Sequence, residues 1–149
     1  MTTLHNSRTA TRTNVQKASM LVGAVFLLVG VLGFVPGFTS NYSELQFAGH
    51  HSEAMLLGLF QVSALHNIVH LLFGAAGLML ARTALGARSF LLYGGVVYLV
   101  LFVYGLVVPE DSAADFVPLN VFDNGLHLLL GVGMIALALI LAKGHKARV

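Results

Sequence analysis

No cysteine and no tryptophan occur in the 149 residues, proline occurs three times, and charged residues make up only 9% of the chain. Without cysteine there is no disulfide, no thiolate metal site, no iron–sulfur cluster and no covalently attached haem, so any metal must be held by nitrogen and oxygen ligands. Soluble chains carry about 25% charged residues. A chain with so few, and 57% apolar, cannot keep a globular surface wetted, and the lipid bilayer is the partner that this composition implies. The net charge of +2 and pI near 9.2 do not indicate nucleic acid. The basic residues flank apolar segments, where membrane topology explains them.

The apolar runs predict an all-α integral membrane four-helix bundle, expected to have three regions. Residues 1–17 read as a flexible basic cytoplasmic arm, residues 18–142 as a four-span transmembrane domain, and residues 143–149 as a basic cytoplasmic tail. The first span, about Ala18 to Val35, lacks a small-x-small cleavage site and stops at Pro36 and Gly37. The connection 38–62 is long enough to need local structure, either a short interfacial helix or a re-entrant segment through Ala54 to Phe60. Ser63 is a plausible N-cap for the second span, which ends at Ala81, and Arg82 to Arg88 forms a short basic turn. The third span covers about Ser89 to Val108 and is stopped by Pro109. An acidic connection leads to the fourth, from Asn120 or Asp123 to Ala142. All eight Lys and Arg lie in the arm, the second-to-third turn or the tail. The expectation is a plasma (inner) membrane protein with both termini in the cytoplasm.

The chemistry-bearing residues occur in two matched blocks. In the second span Ser63, His66, Asn67, His70 and Gly74 fall on one helical stripe, and in the fourth Asn120, Asp123, Asn124, His127 and Gly131 repeat the spacing. Four antiparallel spans then form two tandem helix pairs related by a pseudo-two-fold axis along the membrane normal, with the two polar stripes facing each other. The rise of about 1.5 Å per residue puts both blocks in the extracytoplasmic half.

Several chemistries suit these residue types. His66 and His70 are spaced i, i+4, as are Asp123 and His127, so a facing pair of helices offers three imidazoles and a carboxylate to a divalent metal such as zinc, nickel or copper. Asn67 and Asn124 are then placed to hydrogen-bond the imidazoles, with Ser63 and Asn120 beside them. The same imidazoles suit a proton. A structural alternative is that the cluster only sets helix pairing, because in lipid polar contacts and small residues such as Gly23, Gly30, Gly74 and Gly77 hold helices together. Haem between His70 and His127 is a further alternative. Hydrolysis by Ser63, a histidine and Asp123 has the residue types without the nucleophile-elbow signature, so the chain leans away from being an enzyme. His50, His51 and Glu53 read as a solvated loop, and Phe38, Tyr42, Phe116 and Phe122 as an interfacial belt. A homo-oligomer remains open, and the sequence names no reaction.

The run Leu57 to His70, with its Leu65-His66-Asn67-Ile68-Val69-His70 block, followed by Asn120 and Asp123-Asn124-Gly125-Leu126-His127, resembles a bacterial membrane-protein family known only as a domain of unknown function. The resemblance covers about residues 18–142. It implies four spans and a membrane location and supplies no activity. Ser63 stands where that family is expected to carry Asn, which leaves the capping role intact.

Overall fold

The computed structural model describes residues 11–49, 51–109, 112 and 114–143. His50, Glu110, Asp111 and the tail beyond Lys143 lie outside the described residues. Four helices form the bundle: α1 (Asn14–Leu32), α2 (Ala64–Leu80), α3 (Ala84–Val107) and α4 (Val121–Lys143). The helices α1, α3 and α4 are each long and apolar enough to cross a membrane, and α2 is an apolar helix of 17 residues.

Each boundary has a local cause. The first helix begins inside the expected arm because Thr13 caps it: Thr13 Oγ1 accepts from Gln16 N while Gln16 Oε1 accepts from Thr13 N at 2.9 Å. Ser63 caps α2 as expected, accepting from His66 N at 3.2 Å. The basic turn is shorter than the sequence suggests. Thr83 Oγ1 accepts from Gly86 N, so the helix has already started at Ala84 and Arg88 lies within α3.

Packing proceeds by hairpins: α1 lies closely along α2, and α3 along α4, with looser approaches of α1 to α3, α2 to α3 and α1 to α4. Glycine makes the close approach possible. A Cβ on Gly74 would stand 2.7 Å from the Gly23 carbonyl oxygen, and one on Gly131 would stand 3.0 Å from that of Gly95. Polar ties reinforce the first pair, where Ser19 Oγ donates to Gly77 O at 3.0 Å and Gln16 Nε2 donates to Ala81 O at 3.0 Å. Outside this seam the helices present apolar side chains outward, among them Leu21, Leu72, Val100 and Leu129. Such a surface suits lipid. The molecule is a membrane helical bundle.

The segment between α1 and α2 is neither an interfacial nor a re-entrant helix. It forms a lobe of three two-residue antiparallel strands, β1 (Thr39–Ser40), β2 (Met55–Leu56) and β3 (Phe60–Gln61), with a 3-10 turn at Tyr42–Glu44. The three-residue β2–β3 loop, 57–59, carries Leu57 at φ 54° and Gly58 at φ 69°, both in the left-handed region that a tight reversal of the chain uses. Ala54, Leu56 and Val62 make a small core against Val29 and Leu32 of α1. Ser52 stitches the lobe together, donating to Val62 O and accepting from Gln46 N. The backbone carbonyls of Gln46 and Phe47 accept from Ala64 N and Leu65 N, two of the free N–H groups at the start of α2. The lobe therefore sits over the end of the bundle where α2 and α4 begin.

Candidate functional site

The two polar stripes meet only in part: the asparagines turn into their own hairpins, while His66, His70, Asp123 and His127 line a common cavity, as the sequence leads one to expect. Asn67 is fully buried and its amide lies against Gly33, where a Cβ would collide with it. Asn124 does the same on Gly105, and its Nδ2 donates to the Gly105 carbonyl at 3.0 Å. Both asparagines thus fill a notch that glycine leaves on the neighbouring helix. The physical reason is proximity: α2 and α4 are not a closely packed pair, so an amide in the first turn of each finds the end of the helix beside it.

The imidazoles behave differently. His66 and His70 stack with ring centroids 4.3 Å apart and planes 7° from parallel. His70 Nδ1 lies 3.0 Å from the His66 carbonyl oxygen. Because that oxygen only accepts, Nδ1 carries the hydrogen and the neutral ring keeps its Nε2 lone pair. A chain of ring contacts then crosses the bundle, from His70 to Phe26 at 5.4 Å, Phe26 to Tyr98 at 5.3 Å and Tyr98 to His127 at 5.3 Å. His127 is 4% exposed, and its Nδ1 is buried without a hydrogen-bond partner.

His66, His70 and His127 line two cavities in common. The smaller, about 80 Å³, is shared with Asp123 and closed by lobe residues including Leu56 and Phe60. The larger, about 270 Å³, lies between α2 and α3 under the segment 116–118 and includes Ser63 and Tyr98 in its wall. Tyr104 holds that segment in place, its hydroxyl donating to Ala114 O and accepting from Phe116 N at 3.1 Å.

Asp123 has a second role that the sequence does not separate from ligation. Its Oδ2 accepts from Asn120 N at 3.0 Å and from Gln61 N at 3.0 Å. In return Asn120 Oδ1 accepts from Phe122 N and Asp123 N, and Asn120 Nδ2 donates to Leu59 O at 2.7 Å. Asn120 and Asp123 form a reciprocal cap on α4 that is also bolted to the lobe. Among the described residues, no group of three or more His, Asp or Glu side chains is placed to hold a metal ion. His51 and Glu53 lie exposed on the lobe.

Phe26 and Gly33 carry no polar mark in the sequence, and Tyr98 and Gly105 read there only as one packing face of the third span, with Gly94 and Leu101. A signal was present: Gly23-Ala24-Val25-Phe26-Leu27 in α1 has a counterpart in Gly95-Val96-Val97-Tyr98-Leu99 in α3, and Gly33 and Gly105 follow in step. A family model described as "Domain of unknown function (DUF4383)" matches residues 16–140. No curated protein and no solved structure matches the chain.

Proposed function

We propose, for a chain that belongs to this domain-of-unknown-function family, that it is a multi-pass plasma-membrane protein whose imidazole cluster takes up a cation, and that this cation is a proton before it is a divalent metal. The observation that carries the reading is the convergence of His66, His70 and His127, drawn from both hairpins, on the walls of the same two cavities. Ionisable side chains inside a membrane domain are functional candidates because their burial is costly. A proton needs one free ring nitrogen, whereas a metal needs several ligands at about 2.0 to 2.2 Å. Asp123, the expected fourth ligand, already accepts two backbone hydrogen bonds at one oxygen.

The stacked pair favours a single charge, since two imidazolium ions at that separation repel strongly away from water. The amides support the helix-pairing reading, and the two readings divide the stripe between them: Asn67 and Asn124 fit helices together, while the histidines bind. Haem draws less support, because His70 and His127 are already packed on Phe26 and Tyr98. The distribution of Lys and Arg supports cytoplasmic termini and an extracytoplasmic cluster. The contacts that Gly23, Phe26 and Gly33 share with Gly95, Tyr98 and Gly105 support the pseudo-two-fold relation between hairpins.

Nitrogen-15 NMR of the imidazoles in nanodiscs, from about pH 5 to 8 where histidine charge changes matter physiologically, tests the assignment. The three rings should titrate as a coupled set, so that His127→Phe shifts the curves of His66 and His70. Independent titration of each ring rejects the shared site. Stoichiometric zinc binding that His70→Ala removes restores the metal in place of the proton.

A further inference from the structure

The larger cavity has a composition that the cation reading does not explain. Its wall is mostly apolar, with Leu65, Val69, Val97 and Leu101 facing His70 and His127. No Lys, Arg, Asp or Glu lines it, so nothing there balances an anion or an organic cation. Its rim residues Val69, Val97 and Phe116 are 50%, 48% and 59% exposed on the outer surface of the bundle, where the bilayer would lie. The opening therefore faces sideways, between α2 and α3, rather than toward the aqueous end covered by the lobe. At about 270 Å³ it is close to the lower limit of cavities that enclose small organic ligands, which start near 300 Å³.

We propose that this cavity binds a small lipophile carrying a hydroxyl group, such as a phenol, which enters laterally from the membrane and donates its hydroxyl hydrogen to the imidazole of His70. The polarity follows from the tautomer: Nδ1 is engaged with the His66 carbonyl, so the ring offers an acceptor to a guest. The unpartnered Nδ1 of His127, another residue of the same wall, marks hydrogen-bonding capacity that the protein leaves unused. The binding needs His70 neutral, so at that ring it competes with proton uptake, but it rests on the cavity and not on the cation reading. A ligand ether of the same shape has no hydrogen to donate and is discriminated against.

The test uses full-length protein in nanodiscs and 2-naphthol, whose fluorescence is read without tryptophan background because the chain contains none. Saturable binding above protein-free nanodiscs is expected, with 2-methoxynaphthalene at least about tenfold weaker, the equivalent of one hydrogen bond. His70→Phe keeps an aromatic ring of similar size and should bring 2-naphthol down to the affinity of the ether while leaving the ether unchanged. Leu101→Phe narrows the cavity away from the imidazoles and should weaken both probes. Equal affinity for the two probes, absence of saturable binding, or unaltered naphthol binding in a folded His70→Phe protein overturns the proposal. Should His70→Phe fail to fold, loss of binding in Leu101→Phe upholds the cavity and its retention rejects it. The NMR titration reads the cation and the naphthol titration reads the cavity, so the failure of one leaves the other standing.

Discussion

The hairpin α1–α2 and the hairpin α3–α4 solve the same packing problem with the same parts. Gly23 meets Gly74 and Gly95 meets Gly131; Asn67 fills the notch at Gly33 and Asn124 the notch at Gly105; Phe26 covers His70 and Tyr98 covers His127. What differs is concentrated at one end. His66 occupies the helical position that Asp123 takes in the second hairpin, and the first hairpin is closed by a lobe where the second has a short connection. The shared contacts are those that hold helices together in lipid, where small residues and interhelical polar contacts replace the hydrophobic effect. The unshared ones surround the two cavities. The two hairpins therefore agree along their seams and differ at their caps.

The seams are the place to break the comparison. Gly74→Val drives a side chain into two backbone atoms, Gly23 O and Leu27 N, each 2.7 Å from its Cβ. Backbone cannot step aside, so the helices must separate, at a cost of about 3 kcal/mol or more. Gly131→Val first meets the flexible Leu99 side chain, and its nearest backbone atom is 3.0 Å away. It should cost about 2 kcal/mol. Gly133→Val, with open space around its Cβ, should stay within about 0.5 kcal/mol of wild type. Reversible unfolding in detergent measures all three, and equal losses at Gly131 and Gly133 would dissolve the parallel between hairpins.

The caps sharpen it. Asp123→Ala strips acceptors from two backbone N–H groups and unties α4 from β3, which should cost about 2 kcal/mol. His66→Ala removes one face of a ring stack, worth about 1 kcal/mol. Hydrogen exchange gives the specific sign: Asp123→Ala should expose the Gln61 amide, and His66→Ala should leave it protected. Asp123→Asn retains an acceptor oxygen and should recover part of the loss. A Gln61 amide still protected in Asp123→Ala would show that the carboxylate does not brace the lobe.

These particulars also mark what a sequence can disclose about such a chain. Four apolar helices and the Ser63 cap follow from apolar run length and helical period, which lipid enforces strictly because every backbone polar group must be satisfied within the fold. The tandem helix pairing is legible as well. The destination of the two amides is not: Gly33 and Gly105, which receive Asn67 and Asn124, carry no polar mark to distinguish them from lipid-facing surface. The lobe was hidden for another reason: strands of two residues are too short to show an alternating pattern. Asp123 was ambiguous by position, since a carboxylate in the first turn of a helix serves a cap as readily as a cation.

The two asparagines give the finest test, because their contacts agree in geometry and differ in hydrogen bonding. Asn124 Nδ2 donates to Gly105 O and only its Oδ1 is buried without a partner, while Asn67 leaves both Nδ2 and Oδ1 so. A buried amide with no partner is a net cost, whereas one that keeps a hydrogen bond recovers part or all of it. Leucine has nearly the shape of asparagine and none of its polarity. Asn124→Leu should therefore destabilise by about 1 kcal/mol, and Asn67→Leu should be neutral or stabilise by about 1 kcal/mol. Opposite signs in matched detergent unfolding experiments would show that the first hairpin is held by the fit of the Asn67 side chain into the Gly33 notch. Equal losses at both positions would mean that the Asn67 amide finds a partner in the bilayer-embedded protein, and the first seam would then be polar like the second.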